Sequence, residues 1–422
     1  MFIVYNIAIN LIILFSPIII IIRVIKNKEH PKRFLEKFSF FSKKRGNGKL
    51  IWFHGSSVGE ILSIVPLIEK LENNRDIRKI LITSSTLSSS KVLSKYKFKK
   101  TFHQFFPIDS NYFVNKFLSY WNPSLAIFIE SEIWPNMLSK IKDKKIPLIL
   151  LNARITKKTF KKWKFVNLIS KNIFKYFDIA YPQNIETKKY LKSLGVNKIK
   201  LIGNLKFTEN EKKKQNLIKK DIEKFLKSKL IWCASSTHHT EELMCIKAHI
   251  KLKEKYSNLL TIIIPRHIDR MEDIQSSIEN LDINIHSHSK NNIPNKDTDI
   301  YFVDTYGETK SFFKICKTVF LGGSIIPHGG QNPLEAIRFG CNIIHGPNVK
   351  NFNEIYDLLK FYKLSLKVRT VNSLIKALDK SFNKISNSSK KIDKIKKIGI
   401  KILNNTYGDL EYYIKKNEIK KT

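Results

Sequence analysis

The chain has 422 residues, too many for one ordinary hydrophobic core and suited to two domains of roughly 200 residues each. Hydrophobic residues make up 42%, and no long proline, glycine or glutamine tract occurs, which is typical of a globular enzyme. The net charge of +40 suggests a nucleic-acid or anionic-membrane partner. Because the lysines are spread over almost every segment, and no ribonucleoprotein motif, zinc-finger spacing or basic zipper is present, we predict no nucleic-acid partner.

The N-terminal segment is apolar enough to enter a membrane. Residues 2–22 are about long enough to span a bilayer, and only Asn6, Asn10, Ser16 and Pro17 interrupt the apolar run. A cleaved signal peptide is disfavoured, because no basic region precedes the run and no small-residue cleavage site follows it. The residues that follow include Arg23, Lys26, Lys28, Lys32 and Arg33, which the positive-inside rule places, with the rest of the chain, on the cytoplasmic side. We therefore predict a single inner-membrane anchor over residues 1–27. A buried hydrophobic helix and a re-entrant or monotopic dip into the inner leaflet are the alternatives.

From Lys49 onward, short apolar β-branched runs alternate with lysine-rich amphipathic segments, the pattern of parallel strands joined by crossover helices. The predicted strands of the first half are 50–54, 80–84, 102–106, 125–129, 148–152, 179–181 and 200–202. Those of the second half are 230–234, 260–264, 283–286, 300–303, 318–321, 342–345 and 364–368. The polar stretch 207–215 reads as a linker. The pattern predicts an α/β protein with two doubly wound sheets and a ligand cleft along the carboxyl ends of both.

Polar motifs follow most of the predicted strands, where open α/β sheets build their sites. In the first half they occupy residues 54–60, 130–136, 152–154 and 203–207, and in the second half residues 235–242, 265–267, 304–308 and 321–335. The last of these has two glycines after a strand, a second glycine pair, and a predicted helix that starts at Asn332 with Pro333 in its first turn and Glu335 in capping-box position. Free backbone N–H groups and the helix dipole would make this loop an anion site, and a well-capped helix after a glycine turn is the alternative.

Taken in order, these motifs resemble the Kdo transferases, membrane-anchored glycosyltransferases that add 3-deoxy-D-manno-oct-2-ulosonic acid (Kdo) to the lipid A precursor. The resemblance extends from the N-terminal anchor to Gly346 and Pro347. It implies the GT-B fold, with two Rossmann-like domains and a central cleft. The domain over 28–206 would bind the acceptor, and that over 207–422 would bind the donor CMP-Kdo. The amphipathic C-terminal segment, 409–422, would pack back on the first domain.

The resemblance assigns catalytic roles to three residues. Glu60 matches the general base that takes the proton of the attacking sugar hydroxyl, although its spacing from Ser57 also fits a helix capping box. Glu130 matches a supporting carboxylate, with Glu132 as a structural cap instead. Lys206, in the sequence Gly-Asn-Leu-Lys, matches a lysine that stabilises the charge developing in the transition state.

The same resemblance gives a pocket for CMP in the second half. Its predicted members are Pro265, Arg266, Tyr306, Gly307, Glu308, Asn332, Pro333, Leu334 and Glu335. Arg266 would hold the phosphate or the cytidine through its rigid donors, and Glu308 or Glu335 would accept ribose hydroxyls. Gln331 stands where the family usually has histidine, and Ser56 replaces an aliphatic or small residue.

We predict neither a metal nor a cofactor. The histidines near the motifs lack metal-ligand spacing; they are His54, His238, His239, His267, His328 and His345. The four cysteines form no CxxC pair, so neither a zinc site nor a disulfide framework is indicated. Ser57 and Ser324 have no evident His and acid partners for a hydrolase triad.

The predicted reaction is therefore metal-independent, inverting transfer of Kdo from CMP-Kdo to lipid A precursor (lipid IVA) at the inner leaflet of the inner membrane. Two other classes stay open. One is another GT-B enzyme, either a nucleotide-sugar transferase or an epimerase. The other is a non-catalytic basic protein that binds membrane surfaces and has kept the fold.

Overall fold

A computed structural model describes residues 2–208, 218–383 and 388–416, which fall in two units. Residues 1–210 with 397–422 form the first unit, and residues 211–396 form the second. Most of the predicted linker, from residue 209 to 215, lies outside the described residues, as do residues 417–422 of the predicted C-terminal segment.

The first unit is built on a six-stranded parallel sheet. Its strands are β1 (Leu50–His54), β2 (Lys79–Ser84), β3 (Thr101–Phe105), β4 (Leu125–Ile129), β5 (Leu148–Ala153) and β6 (Ile179–Pro182). The order β3-β2-β1-β4-β5-β6 reverses direction between β1 and β4, the topological switch point at which such sheets bind ligands. All residues of β1 and β4 are buried, as expected for central strands covered by helices on both faces.

The α-helices described for this part of the first unit precede, connect or follow its strands. They are α1 (Phe2–Ile25), α2 (Val58–Glu72), α3 (Leu87–Leu93), α4 (Asn111–Trp121), α5 (Pro135–Asp143), α6 (Lys157–Phe165), α7 (Asn167–Phe174) and α8 (Ile185–Ser193), with 3-10 helices at Arg33–Phe38 and Leu205–Thr208. The core between sheet and helices is rich in aromatic side chains, among them Trp52, Phe117, Trp121 and Phe128, all fully buried.

The second unit is built on a seven-stranded parallel sheet. Its strands are β7 (Leu230–Thr237), β8 (Leu259–Pro265), β9 (Ile285–Ser287), β10 (Ile300–Phe302), β11 (Thr318–Leu321), β12 (Asn342–His345) and β13 (Ser365–Lys367). The order β13-β12-β11-β7-β8-β10-β9 places the switch point between β7 and β11. Its helices are α9 (Lys220–Lys227), α10 (Glu241–Lys253), α11 (Met271–Ser276), α12 (Thr309–Ile315), α13 (Leu334–Ile337), α14 (Asn353–Phe361) and α15 (Val371–Phe382), with 3-10 helices at Ile268–Arg270 and His288–Lys290.

The last helix, α16 (Ser388–Lys416), contributes its residues from 397 onward to the first unit. Its Asp409 lies 2.7 Å from the Lys200 ammonium group, and its Ile414 carbonyl accepts a hydrogen bond from Lys49 at 2.9 Å. Gly399 is needed at its position, because a Cβ there would lie 2.4 Å from the Phe207 carbonyl oxygen.

The fold class expected from the sequence, two Rossmann-like α/β domains with an N-terminal apolar helix, is confirmed. The predicted strand over 200–202 is wrong. Only Ile199 pairs, in an isolated bridge with Ala180. The chain then leaves the sheet, because Gly203 adopts a φ of 116° and the following residues enter a 3-10 helix.

Helix α1 is long and apolar enough to cross a membrane, over Ile3–Ile25. It nevertheless contacts the body of the first unit near both ends. Near its start, the Tyr5 hydroxyl donates to Asp109 Oδ2 at 2.7 Å, and Asn6 Oδ1 accepts from Asn136 Nδ2 at 2.7 Å. At its end, Arg23 lies 3.3 Å from Glu29, a buried carboxylate that also binds Lys37.

Candidate functional site

Glu60 lies in the first turn of α2, directly after the central strand β1. Its backbone N–H donates to the Ser57 hydroxyl oxygen at 3.3 Å, while its carboxylate accepts from the Ser57 hydroxyl at 2.7 Å and from the Ser56 N–H at 2.9 Å. Gly55 lies close to this side chain, since a Cβ there would make a tight contact of 3.3 Å with Glu60 Cβ. The capping interaction considered from the sequence is therefore present, and it fixes the carboxylate at the switch point.

The electrostatic setting of Glu60 suits proton transfer near neutral pH. The pKa of its carboxyl is raised to about 7, chiefly by burial and also by the negative charges of Glu132 and Glu130, against hydrogen bonds from Ser57 and Ser56 that lower it. A carboxyl with such a pKa can exist as a base near neutral pH and still hold the proton that it accepts.

Glu132, after β4, is held by three side chains, two from the end of β1 and the loop after it and one from its own segment. Its Oε2 accepts from the Ser56 hydroxyl at 2.6 Å and from Trp134 Nε1 at 2.8 Å, and it lies 3.2 Å from His54 Nε2. Burial raises the pKa of Glu132. The hydrogen bond and charge of His54 and the hydrogen bonds from Ser56 and Trp134 lower it more, so the pKa lies below its usual range.

The prediction that Glu132 is a structural cap is wrong. The helix that follows it, α5, is capped by Asp109, whose carboxylate accepts from the backbone N–H groups of Asn136 and Met137 at 3.1 and 2.8 Å. Asp109 is distant from α5 in sequence, so spacing rules for caps could not identify it.

Glu130 faces a different set of partners because its backbone bends. Its φ is 55°, a left-handed conformation that non-glycine residues seldom adopt, and this turns its side chain away from that of Glu132. Its Oε1 lies 2.6 Å from the Lys206 ammonium group and accepts from Gln183 Nε2 at 3.2 Å. Two of the predicted catalytic residues thus form an ion pair, in which both side chains are mostly buried.

A buried amide network supports this ion pair. Gln183 donates to the Asn152 carbonyl at 3.0 Å and accepts from Asn204 Nδ2 at 3.2 Å, and the Asn204 side chain accepts from the Lys206 N–H at 2.9 Å. Gln183 was missed in the sequence, although a polar residue directly after β6 at the carboxyl edge of the sheet was an available signal.

In the second unit, the predicted CMP-binding residues lie on loops that follow parallel strands. Pro265 ends β8 and is buried, while the Arg266 side chain is exposed and its N–H donates to the Thr237 carbonyl at 3.0 Å. Tyr306 and Gly307 are exposed after β10. Glu308 accepts from the Thr305 hydroxyl and lies 3.2 Å from His288 Nε2.

The glycine-rich loop after β11 differs from the prediction of free N–H groups. The buried carboxylate of Glu241, at the start of α10, accepts from the N–H groups of Gly323, Ser324 and Ile325 at 2.6, 3.0 and 2.8 Å. It also accepts from the His238 N–H at 3.0 Å. An internal carboxylate therefore occupies the donors that the sequence assigned to a ligand anion, and the prediction is wrong for these three groups.

The close fit of this loop depends on Gly322. A Cβ at this position would lie 2.4 Å from the Ser236 carbonyl oxygen and 2.8 Å from Glu241 Oε2. Glu241 was missed because it precedes the loop by some eighty residues, and only the pairing of β7 with β11 brings the two together.

The helix predicted from Asn332 begins later and is short. α13 covers Leu334–Ile337, with Pro333 as its N-cap residue and no side-chain capping bond. The capping box assigned to Glu335 is wrong, because the Asn332 side chain instead accepts from the Leu334 N–H at 3.1 Å. A single turn carries little of the dipole that a longer helix would provide.

Three of the histidines noted in the sequence lie together at this switch point. The ring of His238 is 4.4 Å from that of His328 and 6.0 Å from that of His267, between centroids. Within residues 2–208, 218–383 and 388–416, no group of three or more His, Cys, Asp or Glu side chains is placed to hold a metal ion.

Comparisons with known proteins agree with this geometry. A family model described as 3-deoxy-D-manno-octulosonic-acid transferase (kdotransferase) matches residues 32–209. The 3-deoxy-D-manno-octulosonic acid transferase of Rickettsia bellii is 32% identical over 404 residues, which cover 94% of each chain. The Haemophilus influenzae protein of the same name is 29% identical over 398 residues, covering 92% of this chain and 91% of the relative.

Among solved structures, UDP-GlcNAc 2-epimerase from Neisseria meningitidis is similar with a TM-score of 0.54, at 13% identity, over 85% of this chain and 100% of the epimerase. At that identity the likeness shows the fold alone. Together with the two parallel sheets, it confirms the predicted GT-B fold class.

Proposed function

The chain belongs to the 3-deoxy-D-manno-octulosonic-acid (Kdo) transferase family and is a glycosyltransferase that transfers Kdo in lipopolysaccharide biosynthesis, and on this premise we propose its donor, acceptor and mechanism. The donor is CMP-Kdo and the acceptor is the lipid A precursor lipid IVA. Transfer inverts the anomeric carbon and needs no metal ion. The observation that carries the proposal is the carboxyl of Glu60, held at a switch point with a pKa of about 7.

In this mechanism the Glu60 carboxylate takes the proton of an acceptor hydroxyl as the oxygen attacks the anomeric carbon of Kdo. The bond from that carbon to the phosphate oxygen breaks, and CMP leaves with the electron pair. Attack from the face opposite CMP gives inversion. Glu132 stays ionised through its three hydrogen bonds, and its charge supports the high pKa of Glu60.

Lys206 keeps its proposed role as a stabilising cation. Its ammonium group is fixed by Glu130 at 2.6 Å, and Glu130 is in turn held by Gln183. A preorganised cation of this kind needs no reorganisation when charge develops in the transition state.

The second unit supplies the donor pocket in this proposal. The exposed guanidinium of Arg266 binds the phosphate or the cytidine, which removes the need for a metal to meet the leaving charge. The loops that carry Tyr306 to Glu308 and Asn332 to Glu335 form the rest of the pocket.

The test is transfer from CMP-Kdo to a tetraacylated lipid A precursor by membranes that contain the protein, read by mass spectrometry. We expect the product from the wild type, also with a chelator, and none from Glu60→Gln. Glu69→Gln is the matched control, because Glu69 is an exposed carboxylate on the same helix. No product from a folded wild type would refute the proposed donor or acceptor, and full activity in Glu60→Gln would refute the base.

We propose further that the protein lies at the inner membrane with α1 in the plane of the inner leaflet. The residues of α1 that are buried, Ile9, Ser16 and Ile20, follow a helical stripe, and Tyr5 and Asn6 continue it towards the N-terminus. A helix that crossed the bilayer would carry Tyr5 about 30 Å away from the catalytic unit, since a 20-residue helix spans that length. The contacts of Tyr5 with Asp109 therefore favour a helix lying along the unit, with its apolar outer face in lipid.

Cysteine labelling tests this orientation with little background, because the four native cysteines are buried. The probe is a membrane-impermeant maleimide applied to intact cells that express Ile3→Cys, an outer-face position that is 75% exposed. A helix in the plane of the inner leaflet leaves Ile3→Cys unlabelled in intact cells, and the thiol reacts only after detergent has dissolved the membrane. Labelling in intact cells would show that the helix crosses the membrane.

A further inference from the structure

His238 has a buried ring nitrogen that no group of the described chain binds. The residue is 7% exposed, and its Nε2 has no hydrogen-bond partner. By contrast, the buried His54 and His249 have partners at both nitrogens: Thr83 and Glu132 for His54, and Thr261 and Asp299 for His249. His286 Nε2 also has no partner, but His286 lies on the edge strand β9, away from the switch point of the sheet.

The position of His238 is that of a ligand-binding residue. It follows β7 at the switch point of the second sheet, where open α/β folds bind their ligands. Its ring lies between two segments of the proposed donor pocket. The glycine-rich loop contributes His328 and Gly323, and a Cβ at Gly323 would lie 3.1 Å from the His238 ring. The segment after β8 contributes His267.

The contacts of the other ring nitrogen, Nδ1, determine whether Nε2 donates or accepts a hydrogen bond. His238 Nδ1 lies 3.1 Å from the Ser236 carbonyl oxygen and 3.9 Å from Glu241 Oε2. Both oxygens only accept hydrogen bonds, so Nδ1 carries the proton. In a neutral ring, Nε2 is then left with a lone pair and accepts a hydrogen bond.

The surroundings favour the neutral ring. Burial lowers the pKa of His238 below its ordinary value, and the neighbouring His328 and His267 lower it further, while Glu241 opposes them. A neutral acceptor in a binding site pairs with a donor such as a hydroxyl, and it offers nothing to a phosphate or carboxylate oxygen.

We propose that His238 binds a hydroxyl of the nucleotide-sugar donor, accepting its hydrogen bond at Nε2. This inference rests on the proposed function and deepens it, because it adds a specificity-determining contact to the donor pocket. The hydroxyl belongs either to the ribose or to the transferred sugar. A site that accepts from a buried hydroxyl rejects ligands lacking it, since the acceptor is then left unpaired.

Two variants separate this role from a structural one. His238→Asn places an amide near the position of Nδ1 and can keep the bond to the Ser236 carbonyl, but it has no atom at the position of Nε2. His238→Gln reaches the position of Nε2 with an amide oxygen that accepts. We expect the donor KM to rise about tenfold in His238→Asn, as for loss of one buried hydrogen bond, and to be largely restored in His238→Gln.

The experiment measures the KM for CMP-Kdo at saturating acceptor with the full chain in detergent, and the affinity for CMP alone by calorimetry. Weaker CMP binding in His238→Asn places the contact on the nucleotide, and an equal loss of affinity for 2′,3′-dideoxy-CMP by the wild type identifies a ribose hydroxyl. Unchanged CMP binding with a raised KM identifies a hydroxyl of the sugar. His239→Gln is the control, because His239 is the exposed neighbour of His238.

The outcome that overturns the inference is a wild-type KM and wild-type CMP affinity in His238→Asn. A low activity in His238→Gln together with a normal one in His238→Asn would also overturn it, since only the Nδ1 contact would then matter. Failure of the proposed function is a separate result, because the wild type itself would not turn over CMP-Kdo.

Discussion

The raised pKa of Glu60 predicts a pH dependence of Kdo transfer that an ordinary carboxylate would not give. The proposed base must be deprotonated to act, and the pKa of about 7 leaves this carboxyl mostly protonated below neutral pH. With this value, about a tenth of the carboxyl is ionised at pH 6 and about nine tenths at pH 8. We therefore expect kcat/KM to rise about tenfold from pH 6 to pH 8 and then to level off.

The raised pKa of Glu60 also affects folding stability, which should fall with rising pH while the rate of transfer increases. Between an ordinary pKa of 4.5 and the folded value of about 7, the folded state holds a proton that the unfolded state has lost, so stability falls as pH rises through this window. The full shift corresponds to about 3 kcal/mol. Glu60→Gln removes the charge, and we expect it to raise the free energy of unfolding by up to about 3 kcal/mol at pH 8, but by only about 1 kcal/mol at pH 5.

The assay pairs initial rates from pH 5.5 to 9 with urea unfolding of the wild type and Glu60→Gln at pH 5 and pH 8. Glu69→Gln, the exposed position on the same helix, is carried through both measurements and should change neither. A rate profile that is already flat above pH 5.5 would refute the reasoning. So would a Glu60→Gln protein that is less stable than the wild type at pH 8, since the charge would then be contributing to stability.

Two further predictions concern the groups that hold the sites. Lys206→Met leaves the charge of Glu130 uncompensated, which should raise the pKa of Glu60. The midpoint of the pH–rate profile should then move above pH 7. An unchanged midpoint would contradict the electrostatic coupling between Glu130 and Glu60. Glu241→Gln replaces one acceptor oxygen by a donor that faces backbone N–H groups, and the two N–H groups left unpaired should cost about 2–6 kcal/mol in urea unfolding. Glu242→Gln, which affects a single ion pair, should cost less, and an equal loss would argue against the role of Glu241.

Much of the fold was predictable because buried parallel strands occur in the sequence as continuous apolar runs. The predicted and observed bounds of β4, β11 and β12 agree. The prediction of a strand over 200–202 failed because the single bridge at Ile199 is followed by the turn at Gly203. An apolar run in the sequence does not show how many of its residues pair with a neighbouring strand.

The contacts of the candidate site could be predicted where they lie within one segment, and the prediction failed where the contacts join two distant segments. The neighbourhood of Ser57 and Glu60 is local, and its capping contacts could be read from spacing. The carboxylates of Asp109 and Glu241 come from distant segments, and sheet order alone brings them to their N–H partners. The left-handed turn at Glu130, which separates it from Glu132, is also invisible in a list of residues.

The carboxylate under the glycine-rich loop has a consequence for selectivity in a cell full of competing anions. A loop whose N–H groups were open would attract inorganic phosphate and every nucleotide alike. Here Glu241 already satisfies the Gly323, Ser324 and Ile325 N–H groups, and its negative charge repels a second anion from them. The loop is also shaped before any ligand arrives, so little ordering entropy is lost on binding. We expect this loop to bind small phosphates weakly, so that selectivity for a nucleotide sugar would come from its shape and its hydroxyl groups.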